Sequence, residues 1–178
     1  MDGQVGDIER QARAGRNFDN PPLHLWQPPL SGDIDIVILA DGRWMHEGDE
    51  IKRDSIVRLF ASILRREDDG DYYLVTPAEK WRIRVEAHPL LVTDIDREQV
   101  EGTAQLVATL NTGRSVSVGP DCPLYLDAER EHVAALALPN GLSALFTRAA
   151  WYRLADMADH QGERLVVHSG GETYDLTA

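Results

Sequence analysis

One cysteine, Cys122, is all the thiol chemistry in the chain, so no intramolecular disulfide forms and no Cys-rich zinc site assembles. Long apolar runs are missing as well. Nothing approaches the roughly 18 residues that a membrane span requires, and the opening MDGQVGDIERQARAGRN lacks the apolar centre of a signal peptide. A cytoplasmic location is the expectation. Positive charge is scarce: 18 lysines and arginines against 30 acids leave a net charge of -12 and a pI near 4.8. Such a field repels phosphate backbones and anionic lipid, which excludes nonspecific nucleic-acid binding and membrane-surface binding unless a local basic patch overrides it. The six histidines show no HxxxH or HExxH spacing, and no GxGxxG, P-loop or GxSxG occurs, so no metal and no cofactor is expected. EDDGD (67 to 71) lacks the alternating carboxylates and closing glutamate of a calcium loop and reads as a helix-ending turn.

What is present suits a folded chain. Hydrophobic residues make up 43% and charged residues 27% of 178 residues, enough for one large or two small domains with buried cores. Residues 1–20 are polar and weakly periodic and read as a flexible tail or one marginal helix near Ile8 to Arg13. PPLHLWQPPLSG follows, with prolines at 21, 22, 28 and 29, and should run extended as a surface strap anchored by Leu23, Leu25 and Trp26. The β-branched run Ile34 to Ala40 ends at Asp41-Gly42, with Arg43 to His46 as a return strand. Ile56, Leu59, Phe60, Ile63 and Leu64 recur at helical spacing behind Asp54 or Ser55 as N-cap. Strands over 72–76, 81–86 and 90–96 are expected in antiparallel succession. Strand-like runs at 105–110, 115–118 and 133–138 follow, then a helix at 148–159 and strands at 164–168 and 173–176.

An internal repeat is visible. KRDSIVRL (52–59) aligns on TRAAWYRL (147–154), IVILADG (36–42) on ALALPNG (135–141), and GDYYLV (70–75) on GERLVV (162–167). Each half is too small for a self-sufficient core, so the two are expected to pack together and to leave a ligand cleft at their interface.

In KWRIRVE, strand alternation sends Lys80, Arg82, Arg84 and Glu86 to one face and Trp81, Ile83 and Val85 to the other. Two readings stand side by side. The stripe holds an anion, using arginine forks and a lysine point charge; or, with a turn at His88-Pro89, Arg82 faces Asp96 and Lys80 faces Glu98 in a salt-bridged surface. Arg53, Arg58, Arg148 and Arg153 lie off the apolar faces of the repeated helices. They are either solvated or, by pseudo-symmetry, anion ligands between the domains. Trp26, Trp44, Trp81 and Trp151 sit at core spacing, with proline-bounded Trp26 as the candidate for stacking or for a lid. Cys122 has no neighbouring base that would make it a nucleophile. The carboxylate pairs Asp33/Asp35 and Asp94/Asp96 carry little meaning in a chain so rich in acids.

LHLWQPPLSGDIDIVILADGRWMHEG and RLFASILRREDDGDYYLVTPAEKWRIRVE resemble the bacterial domain-of-unknown-function family 1285, most distinctively at YYLVTPAEKWRIRVE; the likeness continues more loosely to the C-terminus. The resemblance implies a duplicated α+β architecture with a pleckstrin-homology-like second domain, a role in signalling, and a nucleotide-like or nucleic-acid ligand at the domain interface. It implies no catalytic residues. The combined expectation is α+β, with mainly antiparallel sheets each bearing a helix, an N-terminal domain over 21–98 and a C-terminal domain over 99–178. The expected function is non-enzymatic, regulatory binding of a small anionic ligand by Lys80, Arg82, Arg84, Arg58, Arg153 and Trp26. The alternatives are a small hydrolase or transferase with dispersed acid-base residues, or a protein-interaction adaptor that uses the strap and exposed strand edges.

Overall fold

Asp41-Gly42 turns the chain where the sequence indicates: Gly42 adopts φ +90°, and Leu39 N–H donates to the Arg43 carbonyl at 2.8 Å. This turn, residues 39–43, joins β1 (Leu30–Ile38) to β2 (Trp44–His46), with Ile36 opposite His46 and Ile38 opposite Trp44. The computed structural model of the protein describes residues 3–13 and 20–178. It divides into two units, Met1–Pro89 with Asn140–Leu142, and Leu90–Pro139 with Ser143–Ala178. The strand expected to close the first domain therefore opens the second unit, because residues 90–100 form one uninterrupted strand.

The first unit continues with β3 (Asp49–Glu50), α2 (Asp54–Ser62), β4 (Leu64–Arg66), β5 (Tyr72–Val75) and β6 (Lys80–Val85), after an N-terminal helix α1 (Gly3–Arg13). Its sheet runs β3-β2-β1-β6-β5-β4. Ile34, Ile36 and Ile38 alternate into the core, where they join Trp44, Phe60, Ile63 and Leu74; Asp33 and Asp35 point the other way. α1 is more than a frayed tail, since Val5, Ile8 and Ala12 are buried and the helix packs on α2; residues 14–19 of the expected tail lie outside the described residues. Gly32, at φ +143° beside a register shift in β1, leaves only 3.3 Å between the site of an added Cβ and the Trp81 ring. In the strap, Leu23 is buried, but Leu25 is 69% exposed and Trp26 only half-buried. Of the three expected anchors, Leu23 alone is inserted fully.

The second unit comprises β7 (Leu90–Val100), β8 (Thr103–Leu110), β9 (Ser115–Ser117), β10 (Leu124–Asp127), β11 (Val133–Ala137), β12 (Ser143–Phe146), α3 (Arg148–Asp156), β13 (Asp159–Gln161), β14 (Arg164–Ser169) and β15 (Glu172–Asp175). The last three strands form a separate sheet, and the others run β9-β8-β7-β12-β11-β10. This is the order of the first unit, strand for strand. In each, a central parallel pair (β1 with β6, β7 with β12) is flanked by antiparallel neighbours, as duplication requires. The fold is α+β.

The repeat lies in the strand order, however, and not in the aligned segments. α2 connects the third and fourth strands of its sheet, whereas α3 follows the sixth; the segment aligned with β1 is β11, and the one aligned with β5 is β14 of the small sheet. Helices after turns share apolar spacing whatever their topological position, and that spacing produced the match.

Candidate functional site

The KWRIRV strand does not pair with Leu90–Val100, which is held between β12 and β8. It lies between β1, in parallel, and β5, antiparallel. The partners expected for the stripe, Asp96 and Glu98, are thus replaced by carboxylates of β1 and of the turn before β5. Arg82 Nε donates to Asp33 at 2.7 Å and a terminal nitrogen to Asp71 at 3.2 Å; Arg84 donates to Asp35 at 2.6 Å. Lys80 Nζ donates to Glu67 Oε1 at 2.8 Å and lies 4.7 Å from the centre of the Tyr73 ring. The salt-bridged reading describes this face.

The electrostatics follow from those contacts. Burial raises the Glu67 carboxyl, but hydrogen bonds from Lys80 and Arg65 outweigh it and hold the group below the usual carboxylate range. The hydrogen bond to Asp69 pushes the Tyr73 phenol up to about 12, helped by burial, and lowers the Asp69 carboxyl in turn. Hydrogen bonds to Asp33 and Asp71 hold Arg82 still more firmly protonated. Four cations (Arg65, Lys80, Arg82, Arg84) meet four carboxylates (Glu67, Asp33, Asp71, Asp35), so an incoming anion would have to displace a bonded partner.

Of the remaining expected site residues, Arg153 belongs to α3 in the second unit and is held by Asp96 and by Asp94 at 3.5 Å. Arg148, its neighbour on that helix, donates to the Tyr152 hydroxyl at 3.1 Å. Trp26 contributes its backbone carbonyl to Arg65 at 2.9 Å. Arg58 is exposed on α2, and its side chain has no hydrogen bond or ion pair among the described residues. Cys122 is partly buried, which raises its thiol pKa and quiets it as a nucleophile.

The sequence pattern did not single out the β2–β3 hairpin. Glu47 and Gly48, at φ +49° and +86°, make its two-residue turn; both positive values are what a type I′ connection demands. The chain leaves β3 through Ile51, whose N–H donates to the Trp44 carbonyl at 2.8 Å, and enters α2 at Asp54. Arg53 is the N-cap, in place of the expected Asp54 or Ser55, and it offers no side-chain acceptor to the first helical amides. Between hairpin and helix lies a cleft of about 410 Å³ lined by His46, Glu47, Asp49, Glu50, Lys52 and Arg53, with Ile51 and the fully buried Ile56 as its apolar part. Lys52 and Arg53 are exposed, and their side chains, like that of Arg58 within α2, lack any ionic or hydrogen-bonded partner among the described residues. The adjacent pair KR at a helix start was the available signal, but it drew notice only through the supposed repeat.

Among the described residues, no group of three or more histidine, cysteine or acidic side chains is placed to hold a metal ion. No helix among them is long and apolar enough to cross a membrane.

Comparison with known proteins covers nearly the whole chain. Residues 21–88 match the family described as "Domain of unknown function (DUF1285), N-terminal domain", and residues 89–176 match "Protein of unknown function (DUF1285), C-terminal domain". No curated protein matches. The crystal structure of a DUF1285 family protein from Silicibacter pomeroyi DSS-3 is similar at 34% identity with a TM-score of 0.83, over 94% of this chain and 93% of that one. A DUF1285 family protein from Shewanella baltica OS155 is similar at 30% identity with a TM-score of 0.55, over 68% of this chain and 90% of that one. With both halves matched in order and the strand pattern repeated, this chain belongs to the DUF1285 family.

Proposed function

We propose that this protein is a non-catalytic, regulatory ligand-binding module, and that the cleft between the β2–β3 hairpin and the start of α2 holds the anionic group of a small ligand. One observation carries the reading. In a chain of net charge -12, the stripe cations all have carboxylate partners, yet Lys52 and Arg53 line a cleft with none among the described residues. A cation without a bonded carboxylate can pair with an incoming anion directly, while a bonded one must first give up its partner. The volume is at the small end of ligand pockets, roughly 300 to 1,000 Å³, and suits a ligand with one anionic group better than a large nucleotide. Lys80, Arg82 and Arg84 become structural in this reading, and the ligand role passes to Lys52 and Arg53.

Thermal unfolding with inorganic phosphate, against chloride at matched ionic strength, tests it. At tenfold excess over Kd, binding stabilises by about 1.4 kcal/mol, a rise in Tm of roughly 3 to 6 °C. The rise is expected to vanish in K52A/R53A and to persist in R82A/R84A. Loss confined to the stripe variant would return the ligand role to Arg82 and Arg84.

A further inference from the structure

The same cleft carries more than positive charge. Glu47, Asp49 and Glu50 share it with Lys52 and Arg53, and all five are exposed. Elsewhere in this unit opposite charges close into bonded pairs, as Arg43 does with Asp41 at 2.9 Å and Lys80 with Glu67 at 2.8 Å. Here they do not. The side chains of Glu47, Asp49, Lys52 and Arg53 have no hydrogen-bonded or ionic partner among the described residues, and that of Glu50 acts only through its charge, on Arg43.

The backbone explains why the two signs stay apart. Glu47 is committed to a left-handed turn, Asp49 and Glu50 are paired in register with His46 and Met45, and Ile51 is tied back to Trp44. The acidic side chains therefore belong to one rigid wall, the hairpin. Lys52 and Arg53 belong to the segment that enters α2, with the partly exposed Ile51 supplying apolar surface to the cleft. A ligand of purely negative charge would gain from Lys52 and Arg53 but meet three carboxylates, and those like charges weaken its binding without abolishing it.

We infer that the ligand is a small zwitterion, whose anionic group faces Lys52 and Arg53 and whose ammonium group faces Glu47, Asp49 and Glu50, with a short carbon linker against Ile51. An amino acid or a phosphorylated amino alcohol has this chemistry. The inference rests on the anion-binding reading above and adds the second, cationic contact to it.

The full-length protein is titrated calorimetrically, at matched ionic strength, with two pairs of probes that differ only in the ammonium group: O-phosphoethanolamine against ethyl phosphate, and β-alanine against propionate. The zwitterion of at least one pair is expected to bind tenfold or more tightly than its partner, and the pair that shows this identifies the anion as phosphate or carboxylate. In E47Q/D49N/E50Q the preference should fall below threefold while binding of the plain anion is kept or tightened; circular dichroism confirms that this variant is folded. Equal or weaker binding of both zwitterions by the wild-type protein, with the plain anions still bound, would overturn the zwitterion and leave the anion site standing. Binding of none of the four probes would overturn both.

Discussion

Arg65 carries a charge into a nearly buried place, 9% exposed, and the contacts that make this tolerable also fix the strap. Its Nε and one terminal nitrogen donate to Glu67 Oε2, at 3.0 and 2.6 Å, and the other terminal nitrogen donates to the carbonyls of Leu23 and Trp26, both at 2.9 Å. Proline withholds its N–H, so a strap so rich in proline has few donors of its own and is held instead through carbonyls that accept from elsewhere. Buried leucine and tryptophan anchors seemed the natural expectation for PPLHLWQPPL; a guanidinium 40 or so positions downstream is invisible to local pattern, because nothing in LRR marks which arginine turns inward. R65M removes four donated bonds and leaves Glu67 with Lys80 as its bonded partner. The expected loss is about 3 kcal/mol, a fall in Tm of roughly 6 to 12 °C, with faster amide exchange at Leu25 and Trp26. A change below about 1 kcal/mol would mean that Leu23 alone holds the strap.

At the scale of elements, local pattern located most strands and both longer-spaced helices but not their partners. Tyr72–Val75, Lys80–Val85 and Leu90–Val100 all carry clear strand signals, yet only the first two are neighbours. The third pairs with β12, far along the chain, and β6 pairs in parallel with β1. Parallel partners come from distant sequence by necessity, and proximity along the chain misdirects any reading of them. The two-residue β3, the three-residue β4 and β13 and the four-residue β10 and β12 were not located, since runs so short carry little periodicity. The small terminal sheet is joined to β8 by a polar knot. Ser169, wholly buried, accepts from Leu106 N–H at 2.8 Å and from Gln105 at 3.0 Å, and donates to the Val118 carbonyl at 2.6 Å. S169A leaves the Leu106 amide unsatisfied in the interior and should cost about 1 to 3 kcal/mol by chemical denaturation. Amides of β13 to β15 should exchange faster, with those of β10 to β12 unchanged; a stability within about 0.5 kcal/mol of wild type would assign that junction to apolar packing instead.

For the whole molecule, acidity was plain from composition, and so was the consequence that any anion must find a local exception to it. The stripe looked like that exception because alternation along a strand is easy to read. Which face of a strand carries cations is a local property, but whether those cations are already neutralised depends on the strands beside it. Lys52 and Arg53 are the reverse case: Arg53 drew attention only through the supposed repeat and Lys52 not at all, and the cleft they share arises only when the β2–β3 hairpin is folded against the start of α2 and no carboxylate closes on them. The family membership, by contrast, was legible throughout, because the wording YYLVTPAEKWRIRVE survives as sequence regardless of how its strands pair.

The most direct measurement is an amide chemical-shift map of the ¹⁵N-labelled full-length protein during titration with inorganic phosphate at constant ionic strength. Saturating shifts are expected at the amides of residues 46 to 56, with those of Lys80–Val85 and of Arg153 unmoved. Shifts centred on Lys80–Val85, or linear non-saturating changes spread over the surface, would contradict an anion site at the start of α2.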